Sequence, residues 1–99
     1  MLVDFEDEDL RLLYEDANFR VPRFGRDIVR AYRKVVGIVV AANDERDLYA
    51  MRSLNYEKLK GSRTGQHSLR LNQQWRLIVR PRSSRNGTQM IVIEIVDYH

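Results

Sequence analysis

Ser68-Leu69-Arg70-Leu71-Asn72-Gln73-Gln74-Trp75-Arg76-Leu77-Ile78-Val79-Arg80 is the stretch in which the chain changes its period. Leu69 and Leu71 alternate with Ser68, Arg70 and Asn72, and Leu77 and Val79 alternate with Arg76, Ile78 and Arg80. Alternation sends the apolar set to one face of a strand and the polar set to the other. The stretch therefore predicts two antiparallel strands joined at Asn72-Gln73-Gln74. Downstream, Pro81 to Gly87 reads as a loop by composition, with Asn86-Gly87 as its turn signal. Met90 to Val96 predicts a last strand with Ile91, Ile93 and Ile95 on one face. Its nearly continuous apolar character predicts a central strand covered on both sides.

Upstream, the period is helical. Leu2 to Phe5 is a short strand candidate, and the acids Glu6 to Asp9 suit the first turn of a helix, whose dipole favours negative charge. Leu10, Leu13 and Tyr14 then share a face. Asn18 and Pro22 punctuate, and from about Arg23 to Ala42 the residues Ile28, Tyr32, Val35, Val36 and Val39 recur at helical spacing, with Arg26, Arg30, Arg33 and Lys34 between them. Asn43-Asp44 ends this helix and caps a short turn through Tyr49. Helices first and strands after predict an α+β domain, two helices packed on one face of a mainly antiparallel sheet of about four to five strands. With 99 residues, 43% of them hydrophobic, the chain reads as a single domain over residues 1–99.

The chemistry starts from charge. The net charge of +3 is modest, but residues 1–51 carry 8 basic and 11 acidic side chains while residues 52–99 carry 9 basic and 3 acidic. A polyanion is the first partner such a half suggests. With no cysteine, a disulfide scaffold, a cysteine zinc site and a thiol nucleophile are excluded, and two histidines leave little for a metal. No metal or other cofactor is expected. The longest apolar run, Val35 to Ala42, is far short of the roughly 20 residues that span a bilayer, so no membrane association is expected. The acidic start lacks the form of a secretory signal, which points to the cytoplasm.

Lys58, Lys60, Arg63, Arg70, Arg76, Arg80, Arg82 and Arg85 lie on the strands and their connections, where an arginine-lined face can follow a phosphate backbone. The same spacing is also that of the solvated face of a half-buried sheet. Trp75 could stack on a base beside Arg76 or pack at the edge of the core. His67, in a Gly-Gln-His-Ser turn, reads as a surface residue, and Lys60-Gly61 is too short a signal for a phosphate loop.

In order, Leu54-Asn55-Tyr56-Glu57-Lys58-Leu59-Lys60-Gly61, Gly65-Gln66-His67-Ser68-Leu69-Arg70-Leu71-Asn72, Gln74-Trp75-Arg76-Leu77 and Ile95-Val96-Asp97-Tyr98-His99 resemble the HigB-type, or plasmid-maintenance killer, branch of the RelE-like toxins. The detailed match covers most of residues 54–99. The resemblance implies a toxin of a type II toxin–antitoxin pair, an endoribonuclease that cleaves mRNA in the ribosomal decoding site. It also implies a helix-turn-helix, HigA-type antitoxin, through which the pair binds its operator DNA. Residue by residue, it gives Arg76 the scissile phosphate, sets Lys60 of the Leu-Lys-Gly motif against the RNA backbone, and makes Asp97, Tyr98 and His99 the terminal catalytic triplet. At Glu57 several HigB-type members have histidine, whereas YoeB-type toxins place a glutamate before a Leu-Lys pair. The loop from Pro81 to Gln89 looks longer and more basic than is usual in the family.

These roles fit metal-independent cleavage, in which the 2′-hydroxyl attacks its own 3′-phosphate. That reaction needs a proton acceptor, a cation for the developing charge and a proton donor for the leaving 5′-oxygen. Glu57 is then the base, Arg76 and Lys60 stabilise the phosphate, and His99, a residue type that titrates near 6.5 when unperturbed, is the acid. Tyr98 orients the site or stacks on a base. Against this stand simpler roles: Asp97 and Tyr98 closing the last strand, and Glu57 pairing with an arginine. Two other functions share the resemblance, a non-catalytic module that binds RNA, the ribosome or the antitoxin, and a ribonuclease that needs no ribosome.

Overall fold

The computed structural model of the chain describes residues 1–97. In chain order these form β1 (Leu2–Phe5), α1 (Glu8–Glu15), α2 (Arg26–Ala41), α3 (Glu45–Ala50), a 3-10 turn at Arg52–Leu54, β2 (Glu57–Lys58), a second 3-10 turn at Gly61–Arg63, β3 (His67–Arg70), β4 (Trp75–Ser84) and β5 (Gly87–Asp97). The strands make one sheet in the order β1-β5-β4-β3-β2. β1 runs parallel to β5, and the β5-β4, β4-β3 and β3-β2 pairs are antiparallel. The expected α+β architecture and mainly antiparallel sheet are present.

Capping starts the first helix. The Asp7 carboxylate accepts the Leu10 N–H at 3.0 Å, and Glu8 and Asp9 occupy the first turn, where negative charge meets the unpaired N–H groups. Leu10 and Leu13 then face inward against Tyr32, Val35, Val36 and Val39 of α2. The buried Tyr32 hydroxyl donates to the Leu10 carbonyl at 2.6 Å, and Arg33 Nε donates to the Leu13 carbonyl at 2.8 Å. The two helices are thus joined by polar contacts as well as by their apolar faces. α2 starts at Arg26 rather than Arg23, because a turn closes first from Phe24 N–H to the Val21 carbonyl and Gly25 is extended.

The helices cover one face of the sheet. Their buried side chains form a single cluster with Leu48 of α3 and with Leu69, Leu77, Val79, Met90 and Val92 of the strands. Ile78 and Ile91 are also buried but lie outside that cluster. They belong to the opposite face, together with Arg70, Arg76, Arg80 and Arg82, by alternation along β3 and β4.

Three expectations are corrected. Pro81 to Gly87 is not a loop: β4 continues to Ser84, and Pro81, Arg82, Ser83 and Ser84 pair with Met90, Gln89, Thr88 and Gly87. Pro81 fits because β3 pairs β4 only as far as Val79, so beyond that point β4 has a free edge where a missing N–H costs nothing. The turn contracts to Arg85-Asn86 and ends on Gly87, whose φ of 106 only glycine adopts readily. Second, Ile91, Ile93 and Ile95 do not share a face. The register shifts so that Ile78 opposes Glu94 while Val79 opposes Val92, which leaves Ile93 as the extra residue of a bulge. Met90, Val92 and Ile95 therefore face the helices, and Ile91, Glu94 and Val96 the open side. β5 is an inner strand as expected, yet helices cover only one of its faces. Third, His67 is not a surface residue. It is 5% exposed and stacks on Tyr56 with ring centroids 4.6 Å apart.

Candidate functional site

The turn between β3 and β4 sets the position of Arg76. Asn72 Oδ1 accepts the N–H groups of both Gln74 and Trp75 at 2.8 Å, and Leu71 N–H donates to the Trp75 carbonyl at 3.0 Å. Asparagine suits this place because its side chain closes a turn onto its own backbone. The partly buried Arg76 donates from Nη1 to the Asn72 carbonyl at 2.9 Å. Trp75, on the helix side, meets Phe24 edge to face with centroids 6.3 Å apart, so packing rather than an exposed stacking surface is its structural role.

Two rows of cross-strand partners define the open face. Glu57, Ser68, Ile78 and Glu94 form one, and Arg70, Arg76 and Val96 the next. Glu57 stands on the edge strand β2, two strand spacings, roughly 10 Å, from Ile78, and Arg76 is one pair further along β4, roughly 7 Å. Asp97 pairs with Trp75 in register and accepts Gln74 Nε2 at 3.0 Å, so β5 brings it beside the same turn. Tyr98 and His99 lie outside the described residues.

The other predicted cations divide. Lys60 is exposed at the start of the turn that holds Gly61, near the Leu59 N–H to Gln66 carbonyl bond of 2.9 Å. Lys58 is exposed and pairs with His67 rather than joining the open-face rows. Arg63 reaches across the open face to Glu94 in an ion pair and donates to Gln66 Oε1 at 3.0 Å. Arg80 pairs with Glu6 at 3.3 Å, and Arg82 donates to Gln89 at 2.7 Å. With Arg85 they lie along the projecting hairpin, where Arg82 is six residues, roughly 20 Å, from Arg76. The structure thus gathers Arg70, Arg76 and Asp97 about one turn, sets Glu57 on the facing edge, and places Arg80, Arg82 and Arg85 on an arm.

Sequence reasoning missed Asn72, Glu94 and a buried group behind Glu57. Tyr56 OH donates to Glu45 Oε1 at 2.8 Å, and His67 Nε2 lies 3.9 Å from the same oxygen. Burial, and secondarily Lys58, hold the His67 pKa below its ordinary value against the opposing pull of Glu45. Burial first, then the bond to Glu45, push the Tyr56 hydroxyl well above the usual phenol range. The apolar spacing of Tyr56 and the Asn72-x-x-Trp75 interval were the available signals; nothing local marks Glu94. Among the described residues no group of three His, Cys, Asp or Glu side chains comes together to hold a metal, and no helix is long and apolar enough to cross a membrane.

A small α+β domain with helices behind a sheet and a polar, arginine-bearing face in front is the class defined by this fold. The family model described as HigB-like toxin, the RelE-like toxin of the type II toxin–antitoxin system HigB, matches residues 3–99. The chain belongs to that family of RelE-like type II toxins. No curated protein sequence matches it. Among solved structures it is similar in fold to a YoeB/ParE toxin from Agrobacterium tumefaciens, at 17% identity, with 100% of both chains covered and a TM-score of 0.59. It is also similar to a chain of the YoeB-YefM complex from Staphylococcus aureus, at 17% identity, covering 100% of this chain and 98% of that one, with a TM-score of 0.57. A second structure of that complex, a heterotetramer, gives 18% identity and a TM-score of 0.56 over 100% and 98% of the two chains.

Proposed function

We propose that this toxin is a metal-independent endoribonuclease that cleaves mRNA on the ribosome, with the open sheet face as its reaction surface. The observation that carries the reading is the Arg70–Arg76 cross-strand pair, with Arg76 fixed by the Asn72 turn on the face that also bears Glu57. Glu57 accepts the proton of the 2′-hydroxyl, whose oxygen then bonds to the adjacent phosphorus. Arg76 and Lys60 stabilise the charge that develops on the phosphoryl oxygens, and His99 gives a proton to the departing 5′-oxygen as the P–O bond breaks. The products are a 2′,3′-cyclic phosphate and a 5′-hydroxyl. Asp97 orients the end of β5, Tyr98 orients or stacks on a base, Arg63, Arg70, Arg80, Arg82 and Arg85 extend the RNA contact on the open side, and Trp75, packed on Phe24, and Lys58, paired with His67, support it from the helix side. As a toxin with relatives solved in complex with YefM, it works in the cytoplasm and is neutralised by an antitoxin, of helix-turn-helix HigA type by resemblance, through which it meets operator DNA.

The test is to incubate the purified protein with mRNA, with and without ribosomes, and to map new 5′ ends. Cleavage confined to ribosomes supports the reading, and cleavage of naked transcripts selects the ribosome-independent ribonuclease. An Arg76→Ala variant loses roughly 100- to 1,000-fold in rate if Arg76 acts as an oxyanion donor. A wild-type protein that binds RNA without producing new ends is a non-catalytic module.

A further inference from the structure

Helix α2 carries a second cationic surface that the reaction face does not use. Residues 18–42 hold six basic side chains and one acidic one, so the acidic balance of the first half conceals a basic segment. Arg26, Arg30 and Lys34 follow at i, i+4 and i+8, roughly 6 Å apart along the helix axis, and all three are exposed. Among the described residues none of them forms an ion pair. Arg33 differs, because its guanidinium donates to the carbonyls of Leu13, Asp16 and Ala17 at the end of α1.

Two concavities follow this line. One, of about 270 Å³, is lined by Arg20, Arg26, Arg30 and Arg33 around Val29. The other, of about 320 Å³, has Arg30, Lys34 and Arg70 over an apolar floor that includes Val35 and Leu71. Arg30 lines both, no acidic side chain lines either, and Arg70 is the cross-strand partner of Arg76. Cations therefore run from Arg76 through Arg70 to Lys34, Arg30 and Arg26.

We propose that single-stranded RNA leaving the reaction face continues past Arg70 into this groove, where Lys34, Arg30 and Arg26 hold phosphates of the flank beyond the cleaved bond. The inference rests on the RNA-cleaving reading of the open face and extends it to the helix layer. A phosphate backbone matches the line of Arg26, Arg30 and Lys34, since each neutralised phosphate releases counterions, and the apolar floor accepts uncharged sugar and base surface. Continuity with Arg76 favours RNA over an acidic polypeptide, which has no need of that junction.

The test uses an RNA made uncleavable by 2′-O-methyl groups, in a long form and in a short form that spans only the reaction face, titrated against protein over a range of salt. The triple variant Arg26→Gln, Arg30→Gln, Lys34→Gln keeps the wild-type melting temperature, because all three side chains are exposed and without an ion-pair partner. On the long RNA, its log–log salt slope is shallower by about 2, roughly 0.7 for each lost contact to a single strand, and its binding at low salt is at least tenfold weaker. The short RNA binds both proteins alike. An unchanged slope and affinity on the long RNA overturn the proposal. So does a variant that keeps its RNA slope and loses only its affinity for poly-glutamate, which makes the groove a surface for an acidic polypeptide. If the triple variant binds normally while Arg76→Ala abolishes cleavage, only the extended path is wrong. If Arg76→Ala cleaves normally, the reaction-face reading and the path fail together.

Discussion

The Tyr56 hydroxyl donates to Glu45 Oε1 at 2.8 Å and so ties the edge strand that carries Glu57 to helix α3. β2 has only two residues and pairs on one side alone, at Glu57 with Ser68 and Lys58 with His67. So short an edge cannot fix a side chain by ladder bonds. The stack of Tyr56 on His67 and the bond to Glu45 supply the anchoring.

Tyr56→Phe keeps the ring stack and removes the hydroxyl. The expected loss is about 0.5–1.5 kcal/mol, the net worth of one such bond, read as a lower urea midpoint. If the bond positions Glu57, the cleavage rate falls with little change in RNA affinity. Equal losses of rate and affinity would assign Tyr56 to stability alone.

His67 gives stability a pH dependence of known sign. Its pKa is lowered in the folded protein, so below pH 6.5 the unfolded chain binds the proton more readily than the native one. The contribution is complete above pH 6.5 and is lost as the pH falls towards the folded value, with a slope of at most about 1.4 kcal/mol per pH unit. Among the described residues the Nδ1 atom has no hydrogen-bond partner, so His67→Phe retains the stack and relieves that cost. Urea midpoints from pH 7.5 to 5.5 should decline for the wild type and flatten for His67→Phe; parallel curves would remove His67 as the cause.

Asn72→Ala leaves the N–H groups of Gln74 and Trp75 without their acceptor and loosens the turn that holds Arg76. It should cost about 1–3 kcal/mol and reduce the cleavage rate further than RNA affinity. Asn72→Asp retains the accepting oxygen and should recover most of the rate. Failure of Asp to do better than Ala, in single-turnover cleavage, would show that the acceptor is not what matters.

Glu94→Gln releases Arg63 from its ion pair. Both side chains are substantially exposed, at 37% and 46%, so stability should change by less than about 1 kcal/mol. RNA affinity should rise, with a salt slope steeper by about 0.7 if Arg63 takes up one phosphate. Unchanged salt dependence would mean that Arg63 is a structural strut.

By itself, the sequence determined what local patterns can carry. The alternation about Leu69 and Leu77, the Asp7 cap, and the helical spacing of Tyr32, Val35, Val36 and Val39 all act over a few residues, and these elements formed where their patterns lie. The motifs from Leu54 to His99 were enough to indicate the family. Only tertiary structure decided the rest. The bulge at Ile93 reverses which residues of β5 face the helices, because register is settled by the pairing with β4 and not by the isoleucine spacing. Pro81 became part of a strand because β3 stops short of it. His67, polar and two residues from Gly65, is buried because Tyr56 and Glu45 close over it, and Arg63 is engaged by Glu94, 31 residues away. Alternation and capping are short-range effects written into neighbouring residues, whereas register, burial and charge pairing depend on which distant segment arrives opposite.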